Sequence, residues 1–218
     1  PDPDAAPEPD AAPEPDAAPE PDAAPNRPPS RPEARIEPLN PTTTDALICQ
    51  LTAPGVDPDG DVVTHRYAWR RDGDATERIG RELSPEHTTK HQVWTCLVWA
   101  DDGEDESPPG RAEVTVGNTP PTAEAVGMQP SPPHRGATID CAVVGFSDPD
   151  GDDDQTTYLW FIDDEFVDQG PRLDRELQDD ARITCRATLA DAENAGETLS
   201  VTEVVTNRAP TIEAVTIE

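Results

Sequence analysis

The chain has 218 residues, of which 46 are acidic and 16 basic, for a formal net charge of −30. A field of that sign repels phosphate backbones and argues against nucleic acid as a partner. Hydrophobic residues make up only 33% and aromatics 4%, so any core is small, and no stretch approaches the roughly 18 apolar residues of a membrane span.

The first 25 residues are low in complexity. The hexamer Pro-Asp-Ala-Ala-Pro-Glu recurs at 3–8, 9–14 and 15–20, and 21–26 repeats it with Asn26 in the last place. This stretch carries eight acids and no base, β-branched residue or aromatic, so it has nothing to bury against its ordering entropy. Frequent proline favours the extended polyproline II form, which at ~3.1 Å per residue would reach about 75 Å. Residues 1–25 therefore read as a stiff, self-repelling stalk.

A repeat begins at Asn26. "NRPPS" at 26–30 matches "NTPPT" at 118–122, and each asparagine lies 23 residues before a cysteine, Cys49 or Cys141. A tryptophan follows, Trp69 or Trp160, and then a second cysteine, Cys96 or Cys185. The spacings are 20 and 27 residues in the first copy and 19 and 25 in the second. Two modules are expected, 26–117 and 118–206. A third opening, "NRAPT", starts at Asn207, and 207–218 suffice for one strand. That strand either opens a further repeat, from an array this chain was cut from, or is donated to a neighbouring sandwich.

Within each module the apolar period is two, the signature of strands. Leu47, Cys49 and Leu51 share a face, as do Tyr67 and Trp69, and Trp94, Cys96 and Val98. The second module repeats this with Ile139, Cys141 and Val143, with Tyr158, Trp160 and Ile162, and with Ile183, Cys185 and Ala187. Asp59-Gly60, Asp72-Gly73, Asp102-Gly103 and Asp150-Gly151 supply turns. Residues 71–92 are polar and irregular, and no strand can be placed there. Three inward stripes per module describe a β-sandwich, so the fold class is all-β. Four cysteines allow three pairings, and only Cys49–Cys96 with Cys141–Cys185 uses the repeat consistently. Closing loops of that size would stabilise each module by about 4 kcal/mol. Disulfides belong to oxidising compartments, which places the protein outside the cell or on its surface. No signal peptide is visible and the chain does not begin with Met, so this placement rests on the cysteines alone.

The order N-x-P-P-[ST], C, D-P-D-G-D, Y-x-W, C resembles the tandem immunoglobulin-like repeats of bacterial surface and secreted proteins, related in style to PKD-type and cadherin-like modules. The PKD core motif itself is absent, since Arg70 follows Trp69 and Phe161 follows Trp160. The resemblance covers about 26–206. It implies two immunoglobulin-like sandwiches, each with a B–F type disulfide, acting as spacers, adhesive modules or appendages of secreted enzymes.

The doubled Asp-Pro-Asp-Gly-Asp stretch is the strongest candidate for chemistry: Asp57, Asp59 and Asp61, then Asp148, Asp150 and Asp152, extended by Asp153 and Asp154. Carboxylates at alternate positions on a tight turn can converge on Ca²⁺, which takes six to eight oxygens. They can equally cap their own backbone in an Asp-Gly turn. The stretch is no EF-hand, because glycine stands fourth and Ala68 and Leu159 replace the closing glutamate. Alternation from Cys96 turns Leu97 and Trp99 outward, and Leu159 and Phe161 flank Trp160 on the equivalent outer face. These outward residues suit either a sugar ring or packing against a neighbour. His65, His87, His91 and His134 are scattered, and neither a G-x-S-x-G nor a phosphate loop occurs, so no enzyme is expected. The expected protein is a non-catalytic extracellular structural, spacer or adhesive protein, a stalk or filament subunit that Ca²⁺, its one candidate cofactor, would stiffen. Its partners would be neighbouring repeats, copies of itself, or a surface glycan or protein. The alternative is a carbohydrate- or partner-binding module attached to a secreted enzyme.

Overall fold

Every element of the computed structural model apart from one 3-10 turn is a β-strand, and residues 25–207 are described. The low-complexity stretch up to residue 24 and the strand expected beyond Asn207 lie outside the described residues. Among the described residues no helix is long and apolar enough to cross a membrane.

The first module contains β1 (Glu33–Glu37), β2 (Leu47–Ala53), β3 (Thr64–Arg71), β4 (Asp74–Ile79), β5 (Glu82–Leu83), β6 (Val93–Asp101) and β7 (Gly110–Thr115). They form two antiparallel sheets in the orders β1-β2-β5 and β4-β3-β6-β7. The second contains β8 (Ala125–Gln129), β9 (Ile139–Val144), β10 (Thr157–Ile162), β11 (Glu165–Gln169), β12 (Arg172–Leu173), β13 (Arg182–Ala190) and β14 (Ala195–Val204). Its sheets run β8-β9-β12 and β11-β10-β13-β14, the same topology. The fourth strand of each module pairs with the third, giving sheets of three and four strands rather than the four and three of an antibody constant domain.

Two separate cores result, one around Trp69 and one around Trp160. Cys49 on β2 bonds Cys96 on β6, and Cys141 on β9 bonds Cys185 on β13, so each staple joins the two sheets. Trp69 faces Cys96 across the ladder and Trp160 faces Cys185, which sets each indole against its disulfide. Each indole N–H is fully buried and finds one acceptor: the carbonyl of Gly80 at 3.0 Å for Trp69, and of Gly170 at 2.9 Å for Trp160. Those glycines sit where the chain leaves one sheet for the other, at φ +95° and +107°. A Cβ there would meet no atom within 4 Å, so it is the backbone conformation, not space, that demands glycine.

The irregular stretch 71–92 holds β4, the two-residue β5 and a 3-10 turn at Pro85–His87. Strand β4 reads Asp-Ala-Thr-Glu-Arg-Ile and is almost wholly exposed, so it carries no hydrophobic alternation to betray it. Strand β5 is too short for a period, yet it delivers buried Leu83 opposite Leu47, as β12 delivers Leu173 opposite Ile139. The β3–β4 hairpin turns on Asp72-Gly73, both at positive φ. The matching β10–β11 turn uses Asp163-Asp164 at φ 49° and 69°, a left-handed pair that aspartate tolerates.

Candidate functional site

The acidic turns lie at one end of each module, after β2 or β9. In the first, Asp57 is buried, and its Oδ1 accepts the backbone N–H groups of Asp59, Gly60 and Asp61 at 2.7, 2.9 and 3.1 Å. In the second, Asp148 Oδ1 accepts those of Asp150 and Asp152 at 2.8 and 3.2 Å. The first aspartate is thus the keystone of a self-capped turn. The next one ties the turn to the opening of the module. Asp59 Oδ2 accepts the Arg27 backbone N–H at 2.9 Å, and Asp150 Oδ2 accepts that of Thr119 at 2.7 Å.

A third carboxylate, outside the doubled motif, completes each end. Asp102 and Asp191 each stand six residues after their module's second cysteine, a matched position that was the available signal. Asn26 donates to Asp102 Oδ2 at 3.1 Å and Asn118 to Asp191 Oδ2 at 2.8 Å, which explains the repeated asparagine. Asp102 Oδ1 also accepts the N–H groups of Glu104 and Asp105, and Asp191 Oδ1 those of Glu193 and Asn194. Backbone N–H bonds from Asp105 and Glu104 hold Asp102 below the ordinary carboxylate range. Burial works against the charge of Asp191, but bonds from Asn194, Glu193 and Asn118 outweigh it, and its pKa also falls.

As to a cation, Asp148, Asp152 and Asp191 bring one oxygen each within 4.8 Å of one another. Asp150 is not among them, being committed to Thr119, and Asp154 is turned to its own loop, where it accepts the Thr156 N–H at 2.8 Å. In the first module Asp59 is occupied by the Arg27 guanidinium at 2.8 and 3.0 Å, and Asp61 is exposed. Asp57 Oδ2 and Asp148 Oδ2, equivalent atoms in the two copies, are buried without a hydrogen-bond partner among the described residues.

The second module's acidic end meets the first module. Lys90, the single lysine of the chain, donates to Asp152 Oδ2 at 2.5 Å, Glu193 Oε1 at 2.6 Å and Asn118 Oδ1 at 3.2 Å. His91 Nε2 lies 3.1 Å from the same Glu193 oxygen, and Thr43 and Thr119 hydroxyls meet at 2.7 Å. The hydrogen bonds and charges of Asp152 and Glu193 raise the Lys90 pKa, and Lys90 in turn draws Glu193 below the ordinary range. Lys90 precedes β6 and Asp102 follows it, so the two acidic ends stand at opposite ends of a nine-residue strand, about 30 Å apart. The modules are joined end to end.

The outward aromatics are engaged within their own sheets. The Arg66 guanidinium lies 4.1 Å over the Trp99 ring and is held there by two 2.9 Å bonds to Glu106. Arg186 lies 4.3 Å over Phe161, whose edge also meets Phe166 at 6.0 Å between ring centres. Leu97 is half-buried and Leu159 is exposed.

No family model matches this chain, and no curated protein matches it. Among solved structures the chain is similar to the FN1-FN3 domains of chicken CNTN1, at 12% identity over 85% of this chain and 69% of that one, with a TM-score of 0.35. It is similar to three N-terminal domains of the Highly Immunogenic Outer Capsid protein of bacteriophage RB49, at 13% identity, covering 81% of this chain and 59% of that one, TM-score 0.32. A segment of two fibronectin type III domains from chicken tenascin matches at 10% identity over 79% and 98% of the two chains, TM-score 0.42.

Proposed function

We propose that this chain is a non-catalytic, extracellular spacer whose two stapled sandwiches are held in series by a lysine clamp. The observation that carries this reading is the junction. One ammonium, projecting from the far end of the first module, meets three oxygen acceptors of the second. Acids are abundant in the chain and lysine is spent once, at the place where bending between modules would occur. The clamp is only one-fifth exposed at Lys90 and Asp152, so salt screens it incompletely. Disulfides across both cores suit a compartment where they persist and let small cores hold. Adhesion to a surface or to copies of itself remains the companion role for such a rod.

Calcium is a second reading, favoured by the orphaned Asp148 Oδ2 beside Asp152 and Asp191. Those three carboxylates fit a hard divalent cation, which would neutralise their crowded charge and need further oxygens from water or backbone. Lys90 would compete with it for Asp152. Small-angle scattering on the whole chain tests the spacer: two modules end to end require an elongated particle whose length is kept at about 0.5 M salt. A compact particle, or one that collapses with salt, contradicts the reading. A melt in calcium and in chelator tests the cation, through a rise that Asp148→Asn abolishes.

A further inference from the structure

The four-stranded sheet of the first module presents an arginine-rich face in this acidic chain. On β3, Arg66 and Arg70 stand on that face, opposite Trp99 and Thr95 of β6. On β7, Arg111 stands opposite Leu97. Arg70 and Arg111, with Arg31 and Pro109, border a groove of about 450 Å³ over Thr95, Leu97 and Trp99. Three carboxylates share the face: Glu106 is taken by Arg66, Glu113 by Arg111 at 2.5 Å and Thr95 at 3.2 Å, and Asp101, at the end of β6, accepts the Gly103 N–H at 2.7 Å. Arg31 and Arg70 make no ion pair among the described residues, which leaves the groove with unspent positive charge.

The corresponding face of the second module lacks this character. There Thr184 bonds Thr202, Thr188 bonds Thr198, and Arg186 rests on Phe161. The groove is therefore a property of one copy, not of the fold.

We propose that this groove is a docking site for the acidic, proline-spaced segment 1–24 of the same chain. Charge complementarity is direct: the segment has eight acids and no base, in a repeat that brings a proline next to nearly every acid. Proline-spaced strands are recognised by grooves with aromatic and apolar floors, because they come with little conformational freedom to lose. The point of entry favours the same chain over another. Asn26 is bonded to Asp102 and Asp105 in the turn that follows β6, three residues beyond Trp99, so the segment joins the module at the groove's aromatic end. A tether that short gives an effective concentration in the millimolar range, which a second copy in dilute solution cannot match.

The test uses the full chain, a full chain with the eight acids of 1–24 changed to Asn and Gln, and a synthetic peptide of 1–24. The peptide should bind the neutral-segment chain at least tenfold more tightly than the unmodified chain, and should weaken several-fold between about 50 and 200 mM salt. Backbone amides of β3, β6 and β7, and not those of β10, β13 and β14, should shift in its NMR spectrum. Arg31→Glu with Arg70→Glu in the neutral-segment chain should remove binding, and Arg31→Glu alone, outside any strand, serves if the double variant misfolds. Equal affinity for both chains, no binding to the neutral-segment chain, or binding indifferent to Arg31 would each overturn the proposal.

Discussion

The two acidic turns are built alike and braced differently. Asp57 and Asp148 cap their own turns, Asp59 and Asp150 catch the segment that opens the module, and an asparagine holds Asp102 or Asp191. In the first copy the cation is Arg27, from the module's own opening segment; in the second it is Lys90, from the module before. The same scaffold is a brace within a module when its counter-charge is local, and a joint between modules when it comes from the neighbour. What the repeat keeps is the capping. What it varies is the source of the positive charge.

The sharpest way to probe that distinction is to weaken one module and watch the other. Cys49→Ser/Cys96→Ser and Cys141→Ser/Cys185→Ser should each cost their own module about 4 kcal/mol, since the closed loops span 47 and 44 residues. Calorimetry should show one transition shifting down while the other stays. Were both to move together, the modules would be one cooperative unit and the idea of a joint would fail.

The keystone aspartates come next. Asp57→Ala strands three backbone N–H groups and should cost about 2 kcal/mol, whereas Asp148→Ala strands two and should cost less. Denaturant unfolding of the two variants orders them, and a larger loss at Asp148 would mean that it carries more than a cap.

The clamp itself should matter for orientation rather than stability. Lys90→Met should leave both melting transitions in place while freeing the junction, and acid should do the same. The Glu193 pKa is depressed in the folded protein, so its contribution is present above the ordinary glutamate value of about 4.3 and is lost as pH falls through the lower folded value. Amide shifts around Thr119 and Glu193 followed downward from pH 7 would report the release; a release centred above the ordinary glutamate value would contradict a carboxylate held by Lys90. Smallest of all should be Arg27→Ala. Its partner Asp59 keeps the backbone bond from residue 27, so the first module's melt should barely move.

The sandwich was legible in the sequence because its core repeats with period two and its cysteines recur beside a tryptophan. Short polar strands such as β4 and β5 were not, since exposed residues carry no pattern and two residues carry no period. The Asp163-Asp164 turn lacks the glycine that marks its counterpart Asp72-Gly73 in the sequence. At the acidic turns the doubled aspartates mark one end of each module, and the carboxylate that stands beside Asp148 and Asp152 carries no such motif. Asp154 serves its own loop, and Asp191 arrives from 39 residues beyond Asp152. Lys90 and Glu193 lie 103 residues apart, and nothing local to either announces the other. Only their matched positions, one at the far end of a module and one at the near end of the next, make the contact intelligible.

The central claim is that Lys90 turns two stapled sandwiches into one rod, and residual dipolar couplings of the whole chain in a weakly aligning medium test it most directly. Both modules should fit a single alignment tensor in the unmodified chain and require two clearly different tensors after Lys90→Met. Two different tensors in the unmodified chain, or one shared tensor that survives the loss of Lys90, would contradict the account.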